Sequence, residues 1–456
     1  MPTTELSRIF KAYDVRGLYG DEIDGDVAFE VGRAFTRVLG GSNPRVGLGR
    51  DMRLTAPELA QRYRDGLVAE GAHVIDAGMV GTEMLYWLVG ARELDGGLMC
   101  TASHNPKAYT GAKIVERGCV ALSGDRGLEE IRALIEDGLG EGGRGSNPGT
   151  CEEVDIYADF HSHALAVIDK DAIRPLKVVL DGGNGMAGPM VGPILEQLPL
   201  ELIRTYWEPD GEFPDHEPNP LLPENREFIV RKVIETGADL GIAWDGDADR
   251  CFFIDGAGEF VPGDFLTALL AASVLEKVPG ADILYDVRAS RAVPDTVQQL
   301  GGRALINRVG HAFFKTRMRD EGGEFGGEVS GHYYFKAFYN ADSGTIPALL
   351  ILELLSRQDA KLSELLEPLR SRYFISGEIN SEVRDGPAKM AELEEHYGSQ
   401  PGARVSHVDG VSVDFDDWHF NVRPSNTEPL LRLNLEAATR ELMERRRDEV
   451  LALIRG

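Results

Sequence analysis

The sequence predicts an α/β protein in which short apolar strands alternate with helices. Two observations support this class. Short apolar runs recur along the chain, and most of them end at loops of glycine, aspartate or asparagine. The segments between them carry apolar residues at helical spacing. In open α/β sheets, ligands bind at the carboxyl ends of the strands, so we expect the chemistry to lie in these loops.

The apolar runs predict strands, in chain order, over residues 45–50, 73–75, 96–100, 177–180, 240–244, 251–254 and 283–285. The run at 96–100 leads directly into a loop around Ser103, and the run at 240–244 leads into a loop with three aspartates. Two longer apolar segments, 266–275 and 346–355, fall short of the ~18 residues of a membrane-spanning helix. We interpret both as buried helices.

Breaks in the pattern divide the chain of 456 residues into four domains. The glycine-rich segment 138–149 has the composition of a linker. Further boundaries are expected at 255–258 and at 371–377, after a helical pattern over 362–369. The predicted domains are residues 1–150, 151–256, 257–370 and 371–456.

The charge of the chain restricts its partners. It has 75 acidic and 48 basic residues, a net charge of −27, which argues against nucleic acid and anionic membranes. Exposed charges are screened beyond ~8–10 Å, so a cleft lined with arginine can still bind phosphate. The first ten residues lack the apolar core of a signal peptide, and we expect a cytoplasmic protein.

Neither a zinc site nor a redox motif is predicted from the cysteines. The four cysteines are Cys100, Cys119, Cys151 and Cys251, and no two of them form a Cys-x-x-Cys pair.

The aspartate loop predicts a cation site. Asp245, Asp247 and Asp249 alternate along an extended loop, which places their carboxylates on one side. Such a set suits a hard cation with oxygen ligands, and Mg²⁺ is favoured if a phosphate completes the site. An EF-hand is excluded, because Arg250 and Gly256 stand where that loop needs glycine and glutamate. The alternative is a solvated acidic turn.

Ser103 is a candidate nucleophile or phosphoryl carrier. A serine hydroxyl needs an activating base or arrives already phosphorylated, and the adjacent His104 is poorly placed as a base on an extended chain. A plain serine hydrolase is disfavoured, because the chain has no Gly-x-Ser-x-Gly and the segment 327–331 has the wrong spacing. The alternative is a serine that caps a turn.

Two further loops carry motifs that are typical of anion-binding sites, but only the first is a good match. The loop 423–429 offers the guanidinium of Arg423 with hydroxyl and amide groups, a set that suits phosphate; the alternative is a capped surface turn. The segment 183–188 matches Gly-x-Gly-x-x-Gly, but the next strand does not end in the acidic residue of a dinucleotide fold. A tight strand–helix turn is the better interpretation. There is no P-loop motif.

Taken together, these motifs resemble the α-D-phosphohexomutase family, in its bacterial phosphomannomutase/phosphoglucomutase branch. The segments that carry the resemblance are 10–17, 101–106, 245–250, 327–332 and 423–429, in the family's order and spanning nearly the whole chain. The resemblance implies four domains around a central cleft. The first three are α/β with mixed sheets sandwiched by helices, and the fourth is a smaller α+β lid domain.

The resemblance also implies roles for individual residues. Ser103 carries the phosphoryl group and, with Asp245, Asp247 and Asp249, holds Mg²⁺. The predicted catalytic set is completed by Arg250 and by Lys113 and His311, our candidates for proton transfer, for which simple phosphate binding is the alternative. The predicted substrate-binding residues are Tyr13, Arg16, His104, Arg288, Glu328, Ser330, Arg423, Ser425, Asn426 and Thr427. Arg288 stands where lysine is common in the family.

The reaction implied is the interconversion of hexose 1-phosphate and hexose 6-phosphate, of mannose or glucose or both. Hexose 1,6-bisphosphate would be its intermediate and activator. Thr101 favours this branch over the phosphoglucosamine branch, which stays open. The competing hypotheses are a Mg²⁺-dependent sugar phosphatase, a dinucleotide-binding oxidoreductase built on 183–188, and a non-catalytic phosphosugar-binding protein. We expect a phosphosugar substrate and a monomer or homodimer.

Overall fold

The computed structural model describes residues 5–140, 148–424 and 430–456. They fall into two compact units. The first contains the described residues of 1–261, 315–322 and 330–362, and the second those of 262–314, 323–329 and 363–456. Within the described ranges, every helix is too short or too polar to cross a membrane.

The first unit begins with a mixed sheet that carries the Ser103 loop. Its strands are β1 (Val15–Leu18), β2 (Arg45–Arg50), β3 (His73–Met79), β4 (Gly96–Cys100), β5 (Tyr109–Glu116), β6 (Val120–Ala121) and β7 (Thr150–Glu153), and its helices are α1 (Gly25–Leu39), α2 (Ala56–Ala69), α3 (Thr82–Ala91) and α4 (Leu128–Glu136). The strand order is β1-β5-β4-β2-β3-β7, with β6 beside β5. The strands β4, β2, β3 and β7 are parallel to one another, whereas β5 is antiparallel to its three neighbours β1, β4 and β6. Leu48 and Leu98 pair across β2 and β4 and share one core with Phe35 of α1 and Tyr63 of α2.

A second, smaller sheet in the same unit carries the aspartate loop. Its elements are α5 (Tyr157–Leu165), β8 (Lys177–Asp181), α6 (Ala187–Leu195), β9 (Glu201–Thr205), α7 (Pro223–Thr236), β10 (Leu240–Trp244) and β11 (Cys251–Asp255). The strand order is β11-β10-β8-β9, and only β11 is antiparallel to its neighbour. Every residue of β10 and β11 is buried, so the loop between these strands lies at the edge of a closed core.

The next segment contributes elements to both units. They are α8 (Gly263–Lys277), β12 (Asp282–Asp286), α9 (Ala292–Gln299), β13 (Arg303–Asn307), α10 (His311–Glu321), β14 (Phe325–Gly327), β15 (Tyr333–Phe335), β16 (Ala341–Asp342), α11 (Thr345–Gln358) and α12 (Leu362–Arg370). In the second unit, β12 is parallel to both β13 and β14. In the first unit, β15 and β16 form an antiparallel pair followed by the buried helix α11.

The C-terminal part of the second unit is an antiparallel sheet with two helices. Its elements are β17 (Phe374–Ile375), β18 (Ile379–Glu382), α13 (Gly386–Gly398), β19 (Arg404–Ser406), β20 (Val411–Asp414), β21 (Trp418–Pro424), β22 (Leu430–Ala437) and α14 (Arg440–Arg455). The strand order is β17-β22-β21-β20-β19, with β18 also paired to β22. The sheet and its two helices share one hydrophobic core, which includes Phe420, Leu433, Leu393 and Ile454.

The predicted strands are confirmed. The runs at 45–50, 96–100 and 240–244 coincide with β2, β4 and β10, and the others are each extended by one to four residues. Both apolar segments lie in buried helices, α8 and α11. Neither β1 nor β5 was predicted, because glycine, lysine and arginine interrupt their apolar residues.

Glu83, in the first turn of α3, is a buried carboxyl group within the first unit. The Thr345 hydroxyl donates to it, and its side chain is fully inaccessible to solvent. Burial raises its pKa to about 7, although hydrogen bonds from Ser343 and Thr345 favour the ionised form.

We expect Leu48→Ala to lower the free energy of unfolding by about 2–5 kcal/mol, because it leaves a cavity in the first core. The control is Leu54→Ala, whose side chain is 64% exposed and which should change stability by about 0.5 kcal/mol at most. Urea unfolding followed by circular dichroism measures both. Equal effects of the two substitutions would contradict the packing described for β2.

We expect Glu83→Gln to change the pH dependence of stability. In the folded wild type the carboxyl titrates near 7 rather than 4.5, so between these values the folded state binds more protons than the unfolded state. Its contribution to stability is therefore complete below about pH 4.5 and is lost as pH rises towards 7. The variant lacks this loss, so its melting temperature relative to wild type should rise between pH 4.5 and 7. The surface variant Glu129→Gln should show no such trend.

Candidate active site

Ser103 is held in a tight loop after β4, with its hydroxyl directed to the second sheet of the same unit. Its backbone has φ +50°, and its side chain is buried. The hydroxyl Oγ donates to Asp245 Oδ2 at 3.0 Å. It also lies 3.2 Å from His104 Nδ1, so the expectation that the two side chains point apart is wrong, because the chain is not extended at Ser103. The hydroxyl therefore faces a carboxylate rather than the backbone of its own turn.

The three aspartates form one buried cluster between β10 and β11. Their carboxylates are at most 1% exposed, and one ligand atom from each lies within 4.8 Å of the others. Burial of this kind rules out the solvated acidic turn. Three carboxylates in so little space repel one another, and the arrangement requires compensating positive charge.

Two basic residues compensate the cluster in part. Lys113 of β5 places Nζ 2.7 Å from Asp247 Oδ2 and also donates to Asp249. Arg250 donates from Nε to Asp245 Oδ2 at 2.8 Å. The three carboxylates thus face two cationic side chains, which leaves one formal negative charge before any phosphoryl group is added.

The donor pattern leaves oxygen atoms available to a cation. Asp247 Oδ2 accepts from the Thr82 hydroxyl at 2.5 Å in addition to Lys113. In contrast, Asp247 Oδ1 and Asp249 Oδ1 are buried, and neither has a hydrogen-bond partner among the described residues. Mg²⁺ is coordinated by carboxylate oxygens, and these two buried oxygens have no hydrogen bond to compete with it. The residues therefore fit this ion.

The pKa directions agree with a site that requires a cation. Burial, followed by the charge of Asp247, raises the pKa of Asp249 well above its usual range. For Asp247 itself, burial is outweighed by Lys113 and Thr82, which hold its pKa below its usual range. A divalent cation would favour the ionised form of all three carboxylates.

Arg16 and His104 lie close to the Ser103 loop. Arg16 of β1 donates from Nη1 to Asn105 Oδ1 at 2.8 Å and pairs with Asp14. Burial, then the charges of Arg250 and Arg16, lower the pKa of His104 well below its usual range, so His104 is neutral at pH 7. Tyr13 is half-buried in the bend that precedes β1.

The structure adds His332, a residue for which the sequence predicted no role. His332 Nε2 lies 4.0 Å from Asp249 Oδ1 and 3.9 Å from Asp342 Oδ2, and its Nδ1 lies 3.2 Å from Ser330 Oγ. Asp342 in turn pairs with the fully buried Lys315 at 2.6 Å. In the sequence, Lys315 directly follows two phenylalanines of α10. A lysine in such an apolar helical segment could have predicted a buried ion pair.

The second unit contains a cluster of arginines around Glu378. The carboxylate of Glu378 lies 3.3 Å from Arg288, 3.5 Å from Arg423 and 3.2 Å from Arg432. Arg288 is also bound by both oxygens of Asp286, at 3.0 and 2.8 Å. Burial, then the charge of Arg288, lower the pKa of Arg423, whereas the charge of Glu378 raises it. Neither Glu378 nor Arg432 was predicted from the sequence.

Two other predicted residues of the second unit lie at the start of α10 and after β14. His311 is the first residue of α10, and Glu328 accepts from the amide of Gly310 at 3.0 Å. Arg288 Nη2 lies 3.8 Å from the same glutamate oxygen. The predicted phosphate ligands Ser425, Asn426 and Thr427 lie outside the described residues.

The glycine-rich segment after β8 supports the aspartate loop. The amide of Met186 donates to the carbonyl of Gly246 at 2.9 Å. A Cβ on Gly185 would meet that same carbonyl at 2.6 Å, closer than Cβ contacts normally come. The segment is a tight turn whose glycine permits close contact with the aspartate loop.

Comparison with known proteins decides the family. The models of phosphoglucomutase/phosphomannomutase α/β/α domains I, II and III match residues 7–139, 155–258 and 262–373, and the model of the C-terminal domain matches 378–453. The chain belongs to the phosphoglucomutase/phosphomannomutase family. The resemblance and the four-domain α/β class are thereby confirmed, and the chain is a mutase. The predicted boundaries at 150, 256 and 370 stay predictions.

Relatives of this mutase match it over nearly its whole length. It is 43% identical over 450 residues to the phosphohexose mutases of Xanthomonas campestris pv. campestris, with 98% of this chain and 99% of that protein covered. It is 41% identical over 452 residues to a phosphomannomutase of Escherichia coli, covering 98% of each chain.

Solved structures share the fold. A family protein from Burkholderia thailandensis superposes with a TM-score of 0.89 at 35% identity, covering 98% of this chain and 96% of that one. A putative phosphomannomutase from Thermus thermophilus shares the fold with a TM-score of 0.80 at 21% identity, covering 96% and 98%.

We expect Asp247→Asn to weaken Mg²⁺ binding by the mutase more than about tenfold, because it removes a charged oxygen donor from the cluster. Isothermal titration calorimetry with MgCl₂ measures the change. The control is Asp181→Asn, which alters a buried carboxylate that pairs with His216 outside the cluster. Unchanged Mg²⁺ affinity in Asp247→Asn would contradict the assignment.

Proposed function

We propose that this mutase interconverts hexose 1-phosphate and hexose 6-phosphate, of mannose or glucose or both, through a phosphorylated Ser103. The observation that carries the proposal is the hydrogen bond from Ser103 to Asp245, within a buried cluster that also holds Asp247, Asp249 and Lys113. Phosphoryl transfer to or from a serine is favoured by a metal ion and basic groups that neutralise the charge of the phosphoryl oxygens. The names of the relatives point to the same reaction class.

The proposed reaction has two transfers. In the first, a sugar hydroxyl attacks the phosphorus of phospho-Ser103, the bond from phosphorus to Oγ breaks, and the hydroxyl proton passes to a base. The product is hexose 1,6-bisphosphate. In the second, Ser103 Oγ attacks the other phosphate of the bisphosphate, the bond from that phosphorus to the sugar oxygen breaks, and the sugar oxygen takes the proton back from the base, so that the phosphoserine is restored and the isomeric monophosphate is released. No water is consumed and no free phosphate is formed.

The residues around Ser103 suit charge neutralisation. Mg²⁺ held by the three aspartates would offset the negative charge of the transferred phosphoryl group. Burial alone would lower the pKa of Lys113, but the charges of Asp247 and Asp249 raise it, so Lys113 stays cationic. We therefore favour Lys113 as a ligand of the phosphoryl oxygens, together with Arg250 and Arg16. His311 remains our candidate for proton transfer.

The substrate also carries a phosphate that is not transferred in a given half-reaction. We propose that Arg423, with Ser425, Asn426 and Thr427, binds it, and that Arg288 adds positive charge. Glu328 and Ser330 would bind the hydroxyl groups of the sugar, and Tyr13 and His104 would complete the substrate-binding set. The gathering of Arg288, Arg423 and Arg432 around Glu378 supports this assignment, because guanidiniums bind phosphate oxygens.

We expect Ser103→Ala to lower turnover by at least about a thousandfold and to leave folding intact, because no other group replaces the hydroxyl that carries the phosphoryl group. The assay contains Mg²⁺ and a trace of hexose 1,6-bisphosphate, compares the 1-phosphates of mannose, glucose and glucosamine, and follows free phosphate. The control is Ser123→Ala, another buried serine of the same sheet region. Wild-type turnover in Ser103→Ala would contradict the proposal. Phosphate release without isomerisation would identify a phosphatase, and preference for glucosamine 1-phosphate would identify the phosphoglucosamine reaction.

A further inference from the structure

One buried guanidinium holds the backbone of the Ser103 loop. Arg53 follows β2, and its side chain is among the largest that are fully buried in the described chain. Its Nη2 donates to the carbonyls of Ser103 at 2.8 Å and Asn105 at 2.6 Å. Its Nη1 donates to the carbonyls of Pro106 at 3.0 Å and Tyr109 at 3.1 Å. A single side chain thus binds four carbonyls between the serine and the start of β5.

Asp51 holds the same loop from its other side. Its Oδ2 accepts from the Thr101 hydroxyl at 2.7 Å, and that hydroxyl oxygen accepts from the amide of Ser103 at 2.8 Å. Asp51 Oδ1 accepts from the amide of Arg53 at 3.0 Å, and its Oδ2 lies 3.3 Å from Arg53 Nε. The amide and the carbonyl of Ser103 are therefore both connected to the pair Asp51–Arg53.

The conformation that these contacts hold is one that serine rarely adopts. With φ +50°, Ser103 lies in the left-handed region, which is disfavoured for residues that carry a Cβ. Such a conformation persists only where the surroundings fix it. The carbonyl of Ser103 is also approached closely by Gly246, where an added Cβ would lie 2.6 Å from it. The serine backbone is thus fixed relative to the loop that contains Asp245.

We infer that Asp51 and Arg53 are positioning residues that hold Ser103 in this left-handed conformation, so that Oγ stays at Asp245 through both phosphoryl transfers. The inference rests on the proposed role of Ser103 as phosphoryl carrier. Neither residue contacts the reacting atoms, so both act through the loop backbone. Since in-line transfer is sensitive to displacements of about 1 Å, a loosened loop should slow transfer about a hundredfold. Binding of the sugar phosphate should change little.

The test is Arg53→Lys, which keeps the charge but replaces a planar fork of donors by one ammonium group. We expect kcat to fall about a hundredfold, KM to change less than about threefold, and single-turnover phosphorylation of Ser103 by hexose 1,6-bisphosphate to slow in parallel. Mass spectrometry of the Ser103 peptide measures the last quantity. In Arg53→Ala, added guanidinium should restore part of the rate.

Two further variants keep the test independent of folding. Thr101→Val retains the volume of the side chain but breaks the connection from Asp51 to the Ser103 amide; because the same hydroxyl lies 3.3 Å from Asp247 Oδ2, the variant is assayed at saturating Mg²⁺, where it should also lower kcat while KM is maintained. The matched control is Arg62→Lys, which also loses a bond to a backbone carbonyl, that of Gly25, but not in the Ser103 loop. Melting temperatures of all variants are recorded alongside.

The outcomes separate the inference from the proposed function. Wild-type rates of Ser103 phosphorylation in Arg53→Lys and Thr101→Val would overturn the inference alone. So would a loss of rate that follows only the loss of melting temperature, or an equal loss in Arg62→Lys. Absence of phosphorylation at Ser103 in the wild type, with isomerase activity intact, would overturn the proposed function and the inference with it.

Discussion

Charge balance in one buried cluster governs the arrangement of the first unit. Asp245, Asp247 and Asp249 share a short loop without contact with solvent, and Lys113 and Arg250 offset only part of their charge. Isolated buried charges are costly, so the cluster has to bring its counterions from several elements. The lysine comes from β5 of the first sheet, and the Thr82 hydroxyl comes from the first turn of α3. The ion pairs and hydrogen bonds that stabilise the carboxylates therefore also join the two sheets.

A similar balance, with the opposite sign, governs the second unit. Arg288, Arg423 and Arg432 would repel one another, and Glu378 lies among them as the shared counterion. Asp286 and Glu328 also face Arg288, so these arginines are held together by several carboxylates in a protein whose overall charge is −27. The overall charge describes how the surface repels anions at long range, whereas binding is decided within a few ångströms. A strongly acidic chain can thus still gather several arginines in one place.

Local patterns in the sequence predicted the elements whose burial is uniform. β2, β4 and β10 were predicted because apolar residues run through them and a polar loop follows. β19, with an exposed arginine and two half-buried residues, gives no such signal. The same distinction holds for the site. The aspartates could be predicted because their ligand spacing is local. Arg53 and Glu378 could not, because the groups they bind in the site are 50 and 45 or more residues away in the chain.

The contact between Ser103 and Asp245 joins residues separated by 142 positions. During synthesis at roughly 5–20 residues per second, the serine is made roughly 7–30 s before the aspartate that accepts its hydrogen bond. The first sheet can fold in that interval, because its strands and helices are complete before the second sheet begins. The Ser103 loop thus exists for some seconds without its acidic partner. By the mechanism proposed above, the chain has no activity before the second sheet docks, which makes activity a late marker of its folding.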